Sequence, residues 1–338
     1  MISSPRLNFN DSEFYNIVEE YNTSSYLGPT ATIVIMTLYV TLIVLGTFGN
    51  VMIAFVIVKR KEIRTARNLY VFNLTVSDIT LCLICMPFTL AGLMVKNWQL
   101  GSVICKLVPF LQCMNILVST ATIVAIAGDR YLTIVRVRSG HRSKHYNQIS
   151  LAAIWVVSLV FPLPLVRYYT VIPVSFQDLL LFEKCVLDWP SRQIQVAWII
   201  TLLIIQYIIP ILVLIFVHIR IKNFLSRQKM SNLSTTRKTQ ELVRNRHATI
   251  LLTTVAGTFA VSWLPWHVVN LLADFYYFDE NHEFLYALLG SCHIIAMSTA
   301  CSNPVLYGWL NNNLRKELRG FFSFCFKAVS TNNLNLLE

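Results

Sequence analysis

Charge is what this sequence has least of. Asp, Glu, Lys and Arg make up 13% of its 338 residues, where a soluble globular chain carries about a quarter. Over half of the residues, 55%, are hydrophobic, and the mean hydropathy is +0.56. An ordinary soluble protein is thereby excluded, and a membrane protein is indicated. The first thirty residues also lack an apolar signal-peptide core; they carry Asp11, Glu13, Glu19 and Glu20 instead, so cleavage of a leader is not expected. Nor is there an internal repeat, which argues against a secondary transporter built from duplicated halves.

What is present is a series of mostly apolar stretches at 31–58, 69–95, 102–128, 149–166, 194–219, 248–273 and 284–310. Each is long enough to cross a hydrocarbon core of about 30 Å as a helix. The expected fold is therefore an all-α membrane protein, a seven-transmembrane-helix bundle. Basic residues gather after span one (Lys59, Arg60, Lys61, Arg64, Arg67), after span three (Arg136, Arg138, Arg142, Lys144) and after span five (from Arg220 to Arg246). By the positive-inside rule those loops are cytoplasmic, which places the amino terminus outside the cell and the carboxyl terminus inside. The net charge of +11 and pI near 9.3 then reflect topology, and nucleic acid is not an expected partner. The opposite side is acidic, with Asp178, Glu183 and Asp188 before span five and Asp274, Asp279, Glu280 and Glu283 before span seven.

The organisation expected is an extracellular segment, 1–30, the membrane domain, 31–310, an amphipathic helix on the inner leaflet, 311–326, and a cytoplasmic tail, 327–338. In 311–326, Leu314, Leu318, Phe321, Phe322 and Phe326 take one side, Arg315, Lys316 and Arg319 the other. Cys325 at its end is an expected palmitoylation site, and Asn10 and Asn22 begin extracellular sequons, expected to carry glycans. Of the other seven cysteines, Cys82, Cys85, Cys113, Cys292 and Cys301 lie within spans. Cys105 and Cys185 lie on the outer, oxidising side and are expected to form a disulfide.

Ionisable groups inside the bilayer cost at least about 2.5–3.5 kcal/mol each and need a reason. Asp78 sits about ten residues into span two, near mid-membrane. Asn50, Asn115, Ser119 and Asn303 bring oxygens to similar depth, as ligands for a hard cation such as sodium, as partners of a shared proton, or as the hydrogen-bonding surroundings of a neutral structural acid. On span three, Gln112 and Arg130 are eighteen residues apart, five whole turns and about 27 Å along one face. A helix with such a polar seam belongs at the centre of a bundle. Asp129 and Arg130 end its apolar run side by side, as a pair that can hold or release the guanidinium when helices move. Pro210, Pro265 and Pro304 each remove a backbone hydrogen bond from a span and allow a bend at a defined height.

Taken in order, "GN" at Asn50, "LTVSD" ending at Asp78, "DRY" at 129–131, Trp155, "WLP" at 263–265 and "NPVLY" at 303–307 resemble the rhodopsin-like G-protein-coupled receptors over nearly the whole of 31–326. "FAVSWLPWHVVNLLADF" and "CHIIAMSTACSNPVLYGWLNNNLRKELRGFFSFC" are similar to the neuropeptide Y and neuropeptide F receptors. The resemblance implies a receptor that promotes nucleotide exchange on a heterotrimeric G protein, usually of the inhibitory class, with arrestin and membrane lipids as further partners. Asp129, Arg130 and Tyr131 would form the G-protein switch, Trp263 the toggle beneath the ligand, and Asn303, Pro304 and Tyr307 the inner relay. Asp78, Asn115, Ser119 and Asn303 would hold an allosteric sodium ion in the resting state, with no other cofactor. Two positions depart from the pattern. His218 replaces the usual Tyr of span five, and Asn245 replaces an acid at the base of span six, which implies appreciable ligand-free signalling.

The ligand is narrowed by two further absences. Span three offers a monoamine no acid at the inward position, which is Gln112, and span seven has no Lys to hold retinal as a Schiff base. Asp274, within the acidic rim, is expected to meet a ligand Arg. Gln112 and Asn270 suit a carboxamide, His293 and Trp263 give aromatic contact, and Gln206 is counted with them. The expected ligand is an extracellular amidated peptide ending in Arg-Phe or Arg-Tyr, with another peptide or a lipid as the alternative.

Overall fold

The computed structural model describes residues 25–60, 66–135, 144–176, 179–231, 236–275, 282–310, 315–317 and 319–320. Among them, seven helices are long and apolar enough to cross a membrane: α1 (Pro29–Lys59), α2 (Asn68–Met94), α3 (Gly101–Ile134), α4 (Tyr146–Tyr168), α5 (Arg192–Arg227), α6 (Thr249–Ala273) and α7 (Glu283–Gly308). The helix containing α6 runs from Thr236 to Phe275. Each expected span coincides with one of these helices. Some helices overrun their apolar stretches, as α3 does through Asp129 and Arg130, because backbone hydrogen bonding continues after hydropathy has ended. The expected amphipathic helix falls mostly outside the described residues; of it, 315–317 and 319–320 are helical.

In hydrocarbon every backbone and hydroxyl group must find a partner within the protein. Thr37 and Thr41 of α1 do so locally, donating to the carbonyls of Ile33 and Thr37, both at 2.7 Å. Pro29, in the first turn of α1, occupies a position whose N–H would be unpaired in any case. Prolines deeper in two helices are accommodated differently. A five-residue π-turn, Leu81–Cys85, ends two residues before Pro87 in α2, and a second, Ile204–Ile208, ends two residues before Pro210 in α5. Widening the helix to i→i−5 pairing absorbs the missing N–H and the bulk of the ring.

Helix α3 is the centre of the bundle. Of its most apolar stretch 61% is buried, against 17–39% for the other six helices, as the polar seam requires. Packing of α1 against α7 is close at Gly49, where an added Cβ would lie 2.9 Å from Pro304 Cβ.

Hydropathy gave no sign of the one β element among the described residues. Strands β1 (Tyr169–Phe176) and β2 (Leu179–Leu187) pair antiparallel, with Val171 opposite Cys185 and a bulge between Val174 and Ser175. The hairpin is pinned to the bundle by the expected disulfide between Cys105 at the start of α3 and Cys185 on β2, with a Cα–Cα distance of 5.7 Å. A second attachment joins it to the chain after α2, where Trp98 N–H donates to the Glu183 carbonyl at 2.8 Å and Asn97 Oδ1 accepts from the Glu183 N–H at 3.1 Å.

Candidate functional site

Three polar clusters follow one another along α3. The first lies around Gln112, toward the disulfide end. Its side chain is bonded to His293 of α7, with Nε2 to Nε2 at 2.9 Å, and accepts at Oε1 from the Thr89 hydroxyl of α2 at 3.3 Å. The other imidazole nitrogen of His293 meets the Tyr39 hydroxyl of α1 at 2.6 Å. Trp266 of α6 approaches the same imidazole edge-on, with ring centroids 4.8 Å apart. Helices α1, α3 and α6 thus converge on a histidine of α7 that is 2% exposed.

Trp263, one turn from Trp266 toward the middle of the bundle, is buried, and its indole N–H has no hydrogen-bond partner among the described residues. Asn270 faces a different demand: its amide donates to the Trp266 carbonyl at 2.8 Å, within its own helix. Gln206 sits in the π-turn of α5, is 4% exposed, and its amide contacts Cys113 Sγ at 3.3 Å. The neighbouring Tyr207 donates its hydroxyl to the Ala260 carbonyl of α6 at 2.8 Å. Asp274 belongs to the final turn of the helix that ends at Phe275, but its side chain lies outside the described residues, as does that of Asn245.

The second cluster surrounds Asp78, which is 3% exposed. Asn303 donates its amide to Asp78 Oδ2 at 2.9 Å, joining α7 to α2. Ser77 donates to Asn115 Oδ1 at 3.1 Å and lies 3.3 Å from the Ser119 hydroxyl. Asp78, Asn115, Ser119, Thr299, Asn303 and Trp263 line a cavity of about 20 Å³, space for a body the size of a water molecule. A carboxylate, amide carbonyls and hydroxyls are the donor set a hard cation such as sodium accepts, so these residues fit that ion. Asn50 completes the inner framework by donating to the Gly46 carbonyl at 2.9 Å and the Ala300 carbonyl at 2.8 Å, which ties α1 to α7.

The third cluster is at the far end of α3. Arg130 donates from one terminal nitrogen to Asp129 Oδ2 at 2.6 Å, and the side chains are 18% and 9% exposed. Arg130 Nε is buried with no hydrogen-bond partner among the described residues. A cation held by an adjacent acid, with a donor still unsatisfied, is retained rather than fully accommodated. Tyr131 is half-buried, and Tyr307 is buried at 3% exposure. His218, the departure in α5, is bonded across to α6, its Nδ1 lying 2.8 Å from the Thr253 hydroxyl. Trp155 donates to Asn73 Oδ1 at 2.7 Å, and Asn73 donates on to Thr122 of α3 at 2.8 Å.

The structure therefore joins Gln112 to His293, brings Asp78, Asn115, Ser119 and Asn303 around one cavity, and pairs Asp129 with Arg130. It leaves Gln206 and Asn270 engaged with protein groups. Tyr39, Thr89, Tyr207 and Ser77 had not been singled out from the sequence. A buried hydroxyl needs a partner, which was the available signal, although it does not say which partner. Asn10, Asn22 and Cys325 lie outside the described residues.

Residues 49–307 match the family model of the rhodopsin-family 7 transmembrane receptors. The chain is 37% identical to the neuropeptide F receptor of Drosophila melanogaster over 306 residues, 86% of this chain and 62% of the fly protein, so it spans less than two thirds of that relative's length. It is 32% identical to the mouse neuropeptide Y receptor type 4 over 321 residues, covering 90% of this chain and 84% of the mouse protein. Identity to the rabbit neuropeptide Y receptor type 6 is 29% over 328 residues, 94% of this chain and 86% of the relative. With seven helices, a polar seam on the central one and this similarity over most of its length, the chain belongs to the rhodopsin family of seven-transmembrane receptors, among those of neuropeptide Y and neuropeptide F type.

Proposed function

We propose that the chain is a plasma-membrane receptor, amino terminus outside, for an extracellular peptide with an amidated Arg-Phe or Arg-Tyr end, and that it promotes GDP release from a heterotrimeric G protein of the inhibitory class. The observation that carries this reading is the Gln112–His293 pair, a neutral, hydrogen-bonding centre at the disulfide end of the same helix that carries Arg130 at the other. A neutral amide complements a carboxamide, whereas an amine calls for an acid. Asp274 on the outer rim supplies the charge for the ligand Arg.

Activation on this reading opens the far ends of α5 and α6. Occupancy around Gln112 and His293 shifts α6 about Pro265, Arg130 leaves Asp129, and the guanidinium enters the cavity that opens. Asp78, Asn115, Ser119 and Asn303 would hold sodium in the resting state, where the ion neutralises the buried carboxylate. The similarity to receptors of neuropeptide Y and F type supports a peptide ligand, and the acidic rim supports a basic one.

Asp274→Ala should weaken binding of an Arg-Phe-amide peptide by about 1.5–3 kcal/mol, the cost of a lost charged hydrogen bond, in a competition assay on membranes. An unchanged affinity would refute the Asp274–Arg pairing. Activation by a lipid, with no response to any amidated peptide, would replace the ligand assignment.

A further inference from the structure

Residues 25–28 do more than lead into α1. Tyr26 stacks on Tyr286 of α7, with ring centroids 4.0 Å apart and planes 16° from parallel, and Leu27 is 5% exposed and belongs to the main core. Gly28, the N-cap of α1, has no side chain with which to cap that helix. The cap comes from α7 instead, where Glu283 Oε1 accepts from the Gly28 N–H at 2.8 Å; a carboxylate at the start of a helix is also favoured by the helix dipole. Glycine permits this close approach, because a methyl group at position 28 would overlap Glu283 Oε1. Ser25 and Thr32 close the segment on itself: Ser25 Oγ accepts from the Leu27 N–H at 3.1 Å, and the Thr32 hydroxyl donates to the Leu27 carbonyl at 3.3 Å.

This clasp fixes where the preceding chain leaves the bundle. Tyr286 and His293 are seven residues apart on α7, two turns and about 10.5 Å along one face, so the chain departs two turns beyond the His293 imidazole. That chain is acidic: Asp11, Glu13, Glu19 and Glu20 lie in it, and no Lys or Arg stands between Arg6 and Lys59. Glu20 is six residues before Tyr26, at most about 21 Å of extended chain. We propose that Glu283 and Tyr286 are positioning residues: they fasten residues 25–28 to α7 and so hold the acidic amino-terminal segment at the ligand entrance, where it attracts the basic part of a peptide before docking. The inference rests on the basic-peptide reading above. Charges of one sign around an opening raise the local concentration of an oppositely charged ligand and speed its association, without needing a lasting contact. Glu283 then serves as an acceptor for Gly28, and its own charge is not what draws the ligand.

The test is the rate at which a fluorescent peptide, with two lysines ahead of an Arg-Phe-amide end, associates with the full-length receptor in nanodiscs of neutral lipid. Replacing the four acids together (Asp11→Asn, Glu13→Gln, Glu19→Gln and Glu20→Gln) should slow association about threefold to tenfold at low salt and leave dissociation unchanged. Raising the salt should remove the difference. Glu283→Ala and Gly28→Ala, which break the clasp from its two sides, should slow association similarly, whereas Glu283→Gln, which keeps an acceptor, should not. In the receptor lacking the four acids, Glu283→Ala should change the rate no further. Without ligand, hydrogen exchange of the amides in 25–31 should speed up in Glu283→Ala and not in Glu283→Gln, with exchange in α3 unchanged, which tells an opened clasp from a misfolded bundle. Association as fast without the four acids, or slowed as much by Glu283→Gln as by Glu283→Ala, would overturn the inference and leave the ligand reading standing. An unsubstituted receptor that binds no basic amidated peptide would instead remove that reading, and the steering role with it.

Discussion

Among the described residues the Arg130 side chain has a single short ionic contact, with the acid that precedes it, and a second nitrogen that is buried without a hydrogen-bond partner. Adjacent residues on a helix point about 100° apart, so the pair is formed by one long side chain folding back. Asp129→Asn keeps the shape and removes the charge. It should raise ligand-free GDP release by about tenfold, the change expected when about 1.4 kcal/mol is removed from the resting state; a basal rate equal to that of the unsubstituted receptor would argue against a restraining role. This pair was legible in the sequence, because neither charge has another reason to interrupt an apolar run. The disulfide was legible for a similar reason: Cys105 and Cys185 were the two cysteines placed on the oxidising side. Tyr39 and Thr89 were not. A hydroxyl in an apolar helix can bond to its own backbone, as Thr37 does, and only tertiary packing decides that Thr89 reaches Gln112 instead.

Within the helices, the prolines set where shape can change. The π-turn ahead of Pro210 carries Gln206 and Tyr207, and Tyr207 donates to the Ala260 carbonyl, five residues before Pro265. Carbonyls of the turn preceding a proline have lost part of their regular pairing, so an outside hydroxyl is well placed to satisfy one and to steady the bend. Tyr207→Phe should therefore remove about 0.5–1.5 kcal/mol of restraint and raise ligand-free GDP release several-fold, with the ring packing kept; no change would mean that the α5–α6 contact does not control the bend. On the opposite side, the Gly49–Pro304 contact leaves no room for a methyl group. Gly49→Ala should lower thermal stability by about 1–3 kcal/mol through overpacking, read as an earlier loss of folded receptor on heating, and an unchanged melting curve would show that α1 can withdraw. Bends at Pro210, Pro265 and Pro304 are an expectation from the sequence; the π-turns and the β-hairpin were not foreseen. The turns depend on how a helix redistributes one residue around its proline, and residues 169–187 pair through backbone groups that hydropathy does not report.

Across the whole molecule, α3 joins the three clusters: Gln112 with His293, the cavity at Asp78, and Asp129 with Arg130. Because the helix is the most buried of the seven and meets α6 or α7 side chains at His293 and around the Asp78 cavity, motion of α6 or α7 alters its surroundings at both. The seven-helix architecture was readable because hydrocarbon permits few solutions for a chain of this hydropathy. Which side chains meet across the centre was less readable, since Gln206 and Asn270 have the chemistry of ligand contacts and are engaged by Cys113 and Trp266 instead. The central claim is that occupancy at Gln112 and His293 releases Arg130 at the opposite end. It is tested most directly by GDP release from an inhibitory-class heterotrimer incubated with the purified full-length chain in nanodiscs, with and without an Arg-Phe-amide peptide. The account predicts acceleration by the peptide that is lost in Arg130→Ala while peptide binding persists; acceleration that survives in Arg130→Ala, or no acceleration by the unsubstituted receptor with the peptide bound, would contradict it.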